Sequence, residues 1–173
     1  TDSIFITGAA RGIGAAIAQT AADKGYRVGV FDLDGEAAAE TAASLPNASA
    51  FQGSVTNAAD LEQALDEFGA APDAFVSNAG IVRFGPLIDM SDEDWRSVIE
   101  VNLTGSFLST RAAARRMIDN GGGSIVNITS INGVAPGPNA GAYAAAKAGA
   151  AMMTQQMSIE WGPAGVRVNS VAP

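Results

Sequence analysis

Tyr143 and Lys147 stand four residues apart in an alanine-rich segment that should form a helix. Residues at this spacing share one helix face, so the two side chains should lie close together. A lysine ammonium beside a phenol favours the phenolate, which lets a tyrosine exchange protons near neutral pH. Taken alone, the pair also fits a helix face with one solvated lysine, so its meaning depends on the residues around it.

Ser130 supplies a hydroxyl that could act with this pair. It follows the apolar residues 124–129, whose composition predicts a buried strand. Ligands of α/β sheets bind at the carboxyl ends of the strands, where this serine would lie. Gly133 follows in the same loop, and an ordinary turn serine is the alternative interpretation. The position favours a hydroxyl that hydrogen-bonds a substrate oxygen.

A glycine-rich turn, TGAARGIG, occupies residues 7–14, between a predicted strand and a predicted helix. Gly8 would permit the tight turn, Gly12 would leave room for a pyrophosphate, and Gly14 would let the helix pack on the strand. The helix N-terminus offers N–H groups and a partial positive charge to a phosphate. A plain strand–helix turn is the alternative, but this placement favours a dinucleotide site.

The second predicted strand leads into Asp32, Leu33 and Asp34. Asp32 follows Gly12 by 20 residues, a spacing at which a carboxylate can accept hydrogen bonds from an adenosine ribose. That carboxylate would repel a 2′-phosphate, which favours NAD over NADP. Asp34 fits better as a cap of the next helix. Arg11 could attract a 2′-phosphate, so NADP stays possible.

The composition excludes several chemistries. The 173 residues include no cysteine and no histidine, which excludes thiol nucleophiles, disulfides, a Ser-His-Asp triad and the common zinc sites. A net charge of −8 repels nucleic acids and anionic lipids. No apolar run approaches the ~20 residues that cross a bilayer. We expect a cytoplasmic protein with no metal site and no nucleic-acid or membrane partner.

Apolar segments alternate with helical patterns along the chain. The predicted strands are residues 3–7, 27–31, 49–52, 74–77, 124–129 and 166–171. The predicted helices are residues 11–23, 35–44, 58–68, 91–119 and 140–161, with Asn57 and Ser91 as caps of the third and fourth. This alternation predicts one α/β domain over residues 1–173, a doubly wound parallel sheet of the Rossmann type.

Taken together, these motifs resemble the short-chain dehydrogenase/reductase family over essentially the whole chain. Residues 7–14 match the family's TGxxxGIG turn, and the YAAAK sequence of residues 143–147 matches its YxxxK motif. The remaining matches are SNAG at 77–80, with serine replacing the first asparagine of NNAG, VNL at 101–103, SIVNITS at 124–130 and the strand at 166–173.

The resemblance implies a role for four candidate catalytic residues. Tyr143 would be the general acid in reduction and the general base in oxidation. Lys147 would favour the ionised tyrosine and hold the nicotinamide ribose, and Ser130 would orient the substrate oxygen. Asn102 would bind a water in a proton relay to Lys147. An asparagine inside a helix is locally unfavourable, and such violations tend to occur at functional sites.

The resemblance also implies a cofactor site. In it, Asn78 would steady the sheet near the adenosine, and Ser54 replaces an aspartate that the family often places near the adenine. A serine can still accept a hydrogen bond there. The expected cofactor-binding residues are Gly8, Arg11, Gly12, Ile13, Gly14, Asp32, Leu33, Ser54, Val55, Asn78, Ala79, Gly80, Tyr143, Lys147 and Pro173.

Family members continue beyond the position of Pro173 with a nicotinamide-side turn, a mobile helical substrate lid and a last strand. The fold expected here therefore lacks the lid and that strand. We expect further residues to follow, because the sixth strand would otherwise be an exposed sheet edge. A true fragment is the alternative.

The favoured function is an NAD(H)-dependent oxidoreductase that moves a hydride between nicotinamide and a small secondary alcohol or ketone. One alternative is an NADPH-dependent reductase of the 3-oxoacyl-carrier-protein type, which Asp32 disfavours. Another is a nucleotide-binding protein without turnover. Residues 81–90 and 131–138 would shape the substrate pocket.

The family resemblance implies a homodimer or homotetramer paired through its long helices. Small and methionine side chains on the last predicted helix suit close packing between copies, although the intramolecular core is an alternative place for them. These residues are Ala144, Ala148, Ala151, Met152 and Met157.

Overall fold

The computed structural model describes residues 2–69 and 71–173. Its six strands are all parallel and form one sheet in the order β3-β2-β1-β4-β5-β6. The strands are β1 (Ser3–Thr7), β2 (Arg27–Asp32), β3 (Ala48–Gln52), β4 (Ala74–Ser77), β5 (Gly123–Ile128) and β6 (Val166–Val171). The order reverses between β1 and β4, where such sheets open a crevice at the carboxyl ends. The predicted doubly wound sheet is confirmed.

Helices pack on both faces of this sheet. They are α1 (Gly12–Asp23), α2 (Gly35–Ala43), α3 (Ala58–Phe68), α4 (Asp92–Ile99), α5 (Gly105–Asp119) and α6 (Gly141–Trp161). Short 3₁₀ turns at Leu87–Asp89, Ile131–Gly133 and Gly162–Ala164 were not expected from the periodicity. Within residues 2–69 and 71–173, no helix is both long and apolar enough to cross a membrane.

Side-chain caps begin three of the helices. The side chains of Asp34, Asn57 and Ser91 each accept a backbone N–H of the first turn, at 3.1, 3.0 and 3.0 Å. These bonds satisfy donors that a helix start otherwise leaves without a partner. The capping roles predicted for all three residues are confirmed.

The helix predicted over residues 91–119 is not uniform, and this part of the prediction is wrong. The segment Glu100–Thr104 forms a π-helical turn between α4 and α5. Asn102 lies in this turn and donates from Nδ2 to the carbonyl of Val98 at 2.9 Å and to that of Ile81 at 2.7 Å. A side chain that bonds a carbonyl one turn earlier competes with the regular helix ladder. π-bulges of this kind often mark functional sites.

The core lies on two sides of the sheet because side chains alternate along each strand. On one side, Phe5 and Phe75 stack with ring centroids 6.0 Å apart, and Phe31, Phe51 and Phe68 join them. Helices α3, α5 and α6 cover this side. On the other side, small alanines of α1 and α2 cover the aliphatic residues of the same strands. The abundance of alanine thus permits close packing of helices on the sheet.

The residues of α6 that were considered for packing between copies of the chain differ in their exposure. Met152 is 64 % exposed, and Ala148 is exposed, whereas Ala144 and Ala151 are half-buried. Met157 is 4 % exposed and packs in the phenylalanine-rich core. Met157 therefore belongs to the core of its own chain, because α6 turns this residue toward the sheet.

A buried polar chain joins α5, β5 and α6. Asn127 is 1 % exposed, and its Oδ1 accepts from the Thr110 hydroxyl at 3.0 Å. Its Nδ2 donates to the Thr154 hydroxyl at 2.9 Å, and that hydroxyl donates to the Ala150 carbonyl at 2.8 Å. Buried polar groups are costly unless they are paired, so this chain favours one arrangement of the three elements.

Replacing Thr154 with valine should lower the free energy of unfolding by about 1–3 kcal/mol, because it leaves the buried Asn127 amide without its acceptor. Thr20→Val is the matched control, since the Thr20 hydroxyl also donates to a carbonyl four residues earlier, at 2.8 Å, but is exposed. The control should change stability by less than about 0.5 kcal/mol. Urea denaturation measures both, and equal losses would contradict a special role for the buried chain.

Candidate active site

Two adjoining cavities open at the carboxyl ends of the strands. The β1–β2 cavity has a volume of about 740 Å³ and lies over the glycine turn and the end of β2. The β5–α6 cavity has a volume of about 470 Å³ and lies between the end of β5 and α6. Ile13, Asn78, Gly80 and Ile81 line both cavities, so the two form one continuous cleft.

The structure brings nearly all predicted site residues to this cleft. The β1–β2 cavity is lined by Gly8, Arg11, Ile13, Asp32, Leu33, Ser54, Val55, Asn78, Ala79 and Gly80. The β5–α6 cavity is lined by Asn102, Ser130, Tyr143, Lys147 and Pro173, together with the residues that the two cavities share. Gly12 and Gly14 line neither cavity. They affect the shape of the glycine turn instead.

The glycine turn depends on close backbone approaches. Gly8 has φ +63°, and a Cβ there would lie 2.7 Å from the Ala79 Cα. A Cβ on Gly14 would lie 2.2 Å from the Gly8 carbonyl oxygen, so α1 packs on the turn after β1 rather than on the strand itself. Gly12 has φ +58°, and a Cβ there would meet no atom within 4 Å. The positive φ favours glycine at this position, and the space beside it is open.

The start of α1 differs from the capped starts of α2, α3 and α4. No side chain of the described residues caps it, and its first turn holds no acidic residue. The backbone N–H groups and the positive end of the helix dipole are therefore not offset by a carboxylate of the protein. This end of the helix is suited to an anion such as a phosphate.

Asn78 fixes the glycine turn to β4. Its Nδ2 donates to the carbonyls of Thr7 and Gly8 at 3.0 and 2.9 Å. Its backbone N–H donates to the Thr7 hydroxyl at 3.0 Å. These bonds join the ends of two neighbouring strands, as expected of a residue that steadies the sheet beside the cleft.

The Asp32 carboxylate is held at the end of β2 by the backbone. Its Oδ2 accepts from the N–H of Ala10 at 3.0 Å, and its Oδ1 accepts from the N–H of Asp34 at 3.1 Å. Each oxygen keeps capacity for a further donor, such as a sugar hydroxyl. Arg11 forms an ion pair with Asp34 rather than standing alone, although both side chains are largely exposed. An exposed pair of this kind is weak in water.

Ser54 is more engaged than expected for an adenine acceptor. Its hydroxyl accepts from the Thr56 N–H at 3.2 Å and shares a hydrogen bond with the Thr56 hydroxyl at 2.8 Å. Its backbone N–H donates to Asp60 at 2.9 Å. The serine thus stabilises the turn after β3 while it lines the cavity.

Lys147 is the buried cation of the cleft. It is 5 % exposed, and its Nζ donates to the Ile128 carbonyl at 2.8 Å. Nζ lies 5.6 Å from the centroid of the Tyr143 ring, so the predicted juxtaposition on α6 is present. Burial disfavours the ammonium and lowers the pKa of Lys147 to about 8.

Ser130 lies in a turn that packs directly on α6. Its hydroxyl accepts from the Asn132 N–H at 3.2 Å, which caps the 3₁₀ turn Ile131–Gly133. A Cβ on Gly133 would lie 2.8 Å from the Lys147 carbonyl carbon, so only glycine allows this approach. The close contact brings the serine and the Tyr143–Lys147 pair to one cavity.

Asn102 presents an unsatisfied acceptor beside Lys147. Its Oδ1 is buried without a hydrogen-bond partner among the described residues. A Cβ on Gly80 would lie 2.6 Å from this Oδ1 and 3.6 Å from Lys147 Nζ. Only glycine therefore lets the backbone at position 80 approach both polar groups this closely. Buried polar atoms are rarely left unpaired, so this acceptor indicates a place for a bound donor.

Sequence reasoning missed several residues that line the cleft. Most of them directly flank a motif or end a strand. Their position next to these elements could have identified them, whereas their side-chain chemistry could not. They are Phe31, Asp34, Gly53 and Val101 in the β1–β2 cavity and Ile128 and Thr129 in the β5–α6 cavity. The segments expected to shape a substrate pocket contribute Ile81, Val82, Phe84, Ile131 and Asn132.

The fold and the cleft define a Rossmann-type domain with a phosphate-binding turn and a separate polar cluster at one edge of the sheet. Residues 2–173 match the family model described as short chain dehydrogenase. The D-threitol dehydrogenase of Mycolicibacterium smegmatis is 40 % identical over 177 residues, which cover 98 % of this chain and 68 % of that protein. The 3-oxoacyl-[acyl-carrier-protein] reductase of Synechocystis is 41 % identical over 178 residues, with coverage of 98 % and 72 %.

A solved structure shows the same fold. The 3-oxoacyl-[acyl-carrier protein] reductase of Brucella melitensis with bound NAD superposes with a TM-score of 0.94 at 36 % identity, covering 99 % of this chain and 70 % of that one. The chain belongs to the short-chain dehydrogenase/reductase family, an oxidoreductase family that uses nicotinamide cofactors.

The burial of Lys147 should make stability depend on pH. Its pKa is about 8 in the folded protein against a usual 10.5, so the unfolded chain binds more protons between these values. The wild type should therefore gain stability relative to Lys147→Met as the pH rises from about 8 to 10.5, by on the order of 3 kcal/mol. Urea denaturation across this range measures the difference.

Lys24→Met is the control for this experiment, because Lys24 is the other lysine of the chain and is exposed. The difference between wild type and this control should stay flat over the same range. A flat difference for Lys147→Met as well would show that its ammonium is not destabilised by burial.

Proposed function

We propose that the protein is an NAD(H)-dependent oxidoreductase that interconverts a small secondary alcohol and its ketone. The observation that carries this proposal is the continuity of the cleft. One end holds the glycine turn and Asp32, the other holds Ser130, Tyr143 and Lys147, and shared lining residues connect them. A nucleotide bound along it would bring its reactive end to the hydroxyl–lysine cluster.

The residues at the β1–β2 end fit a dinucleotide. The open space at Gly12 and the uncapped start of α1 suit the pyrophosphate, and the Asp32 carboxylate suits the hydroxyls of the adenosine ribose. When bound, the nicotinamide supplies or accepts the hydride. Tyr143, Lys147 and Pro173 line the part of the cleft assigned to the nicotinamide side.

The residues of the β5–α6 cavity would handle the proton and the substrate oxygen. In reduction, Tyr143 donates its phenolic proton to the carbonyl oxygen, and in oxidation its phenolate takes the hydroxyl proton. Ser130 orients that oxygen by a hydrogen bond. Lys147 in its ammonium form stabilises the phenolate, while Asn102 Oδ1 accepts from a water that carries protons toward Nζ. The Oδ1 of Asn102, which is unpaired among the described residues and lies beside Lys147 at Gly80, supports this relay.

The preference for NAD over NADP rests on charge. A 2′-phosphate would lie close to the Asp32 carboxylate, and like charges repel strongly in a partly buried site. Arg11, the cation in the lining of the same cavity, pairs with Asp34. Both features support NAD, and they disfavour the NADPH-dependent alternative.

A nucleotide-binding protein without turnover is disfavoured because all four candidate catalytic residues line one cavity. Names of two relatives, D-threitol dehydrogenase and 3-oxoacyl-[acyl-carrier-protein] reductase, describe alcohol and ketone chemistry and support the proposed reaction type. A cytoplasmic location and assembly into a dimer or tetramer stay predictions.

Tyr143→Phe should lower kcat by about 10²–10⁴-fold while NADH affinity stays unchanged, because only the proton donor is removed. Turnover of the best ketone in a small panel is followed by NADH absorbance, and NADH binding by fluorescence titration. Tyr26→Phe is the control, since Tyr26 is the other tyrosine and lines neither cavity of the cleft. Full activity in Tyr143→Phe would rule out the assigned proton donor.

Asp32→Asn should lower the ratio of the Kd for NADPH to the Kd for NADH about tenfold or more. The substitution removes a carboxylate whose repulsion of the 2′-phosphate costs at least ~1.4 kcal/mol. The amide oxygen can still accept one of the two backbone N–H groups, so the turn should keep its shape. Asp23→Ala, an exposed carboxylate at the end of α1, should leave the ratio unchanged. Isothermal titration with both cofactors decides, and an unchanged ratio in Asp32→Asn would remove this residue from the cofactor site.

A further inference from the structure

The walls of the β5–α6 cavity carry almost no charge. Among the residues that the structure describes, the one charged residue in its lining is Lys147, which is buried and directed to the Ile128 carbonyl. Apolar side chains make up much of the wall that is not assigned to the cofactor, namely Ile81, Val82, Phe84 and Ile131. A carboxylate or phosphate on a substrate would find no exposed cation here to offset its loss of water.

Three polar side chains of the wall, those of Asn78, Asn102 and Thr129, donate their hydrogen bonds to the protein backbone. Both bonds recorded for the Asn78 amide nitrogen go to backbone carbonyls. The Thr129 hydroxyl donates to the Val171 carbonyl at 3.0 Å, and the Asn102 amide nitrogen donates to two carbonyls. These three donors are therefore not available to a hydroxyl group of a substrate.

Two loops continue the apolar wall outward from the cavity. Phe84 is 72 % exposed, and Val134 on the other loop is 76 % exposed. The loops are joined, because the Gly85 N–H donates to the Asn139 carbonyl at 2.9 Å. Leu87 packs against the start of α6 so closely that a Cβ on Gly141 would lie 2.4 Å from its Cδ2. Exposed apolar side chains grouped around a cleft are typical of a ligand-binding surface.

The charged residue that adjoins Phe84 in the chain is not part of this wall. Arg83 precedes Phe84 in the chain, but its guanidinium forms an ion pair with Asp94 at 3.4 Å. Neither residue lines the cavity. The wall thus selects by apolar contact rather than by charge.

We propose that the part of the substrate that contacts this wall, away from the reacting carbon, is uncharged and apolar, an alkyl or alicyclic group. On this proposal, which rests on the proposed oxidoreductase function, Phe84 and Ile131 determine specificity by contacting that group. The reaction is the two-electron reduction of a ketone to a secondary alcohol, with the hydride taken from NADH and the proton from Tyr143, or its reverse.

A matched series of six-carbon ketones tests the substrate class. The probes are 2-hexanone, 6-hydroxy-2-hexanone and 5-oxohexanoate, which differ only at the end away from the carbonyl. The wild-type kcat/KM should fall in that order, by about 100-fold or more from the first to the last, because the carboxylate stays costly to desolvate. Each methylene added between 2-butanone and 2-hexanone should raise kcat/KM about fourfold.

Phe84→Arg tests the assigned wall. It should raise the kcat/KM ratio of 5-oxohexanoate to 2-hexanone by about tenfold or more, since it adds a cation where an apolar contact was. Ile159→Arg is the control, because Ile159 is 70 % exposed and lies on α6 outside both cavities. Phe84→Leu should keep the wild-type order of the three probes. NADH affinity, measured by fluorescence, should be the same in all variants.

The outcomes separate the two proposals. Reduction of 5-oxohexanoate or the hydroxyketone as fast as 2-hexanone, or equal ratios in Phe84→Arg and Ile159→Arg, would overturn the apolar substrate class and leave the oxidoreductase function standing. Reduction of no probe with either NADH or NADPH would overturn the proposed function and the substrate class with it.

Discussion

The bond between Lys147 Nζ and the Ile128 carbonyl ties the candidate site to the sheet. An ammonium at 5 % exposure is costly, and its lowered pKa is the measure of that cost. A purely structural core would place an apolar side chain here at lower cost. Stability alone therefore does not explain a lysine at this position. Its place beside the Tyr143 ring is consistent with a functional role.

Keeping that charge in place requires the surrounding elements to be fixed. The Asn127 chain fastens α5 and α6 to β5, and Gly133 lets the Ser130 turn approach α6 without a side chain between them. The π-helical turn sets Asn102 against the other side of the same pocket. Each device restricts the backbone, so the geometry of the site depends on the fold rather than on mobile side chains.

The fold could be predicted because its signals are local. Alternating apolar strands and helical patterns, with caps such as Asn57 and Ser91, give the element order, and right-handed crossovers restrict the topology. The π-helical turn could not be predicted from local signals, because Asn102 in this turn also bonds the carbonyl of Ile81, a residue 21 positions earlier. The burial of Met157 likewise depends on how α6 rotates against the sheet, which a helix of mostly small residues does not reveal.

Residues of the candidate site that belong to a motif could be predicted from the sequence. Residues that line the cavity only because of the tertiary fold could not. Gly8, Asp32, Ser130 and Tyr143 carry their roles in residue type and spacing, whereas Phe84 has no motif. Its place beside the cavity follows from the joining of two loops that are distant in sequence. On the proposed function, the deep, polar part of the cleft handles the proton and the hydride. The outer apolar wall is assembled by tertiary contacts, so it is the part where one member of the family can differ from another in its substrate.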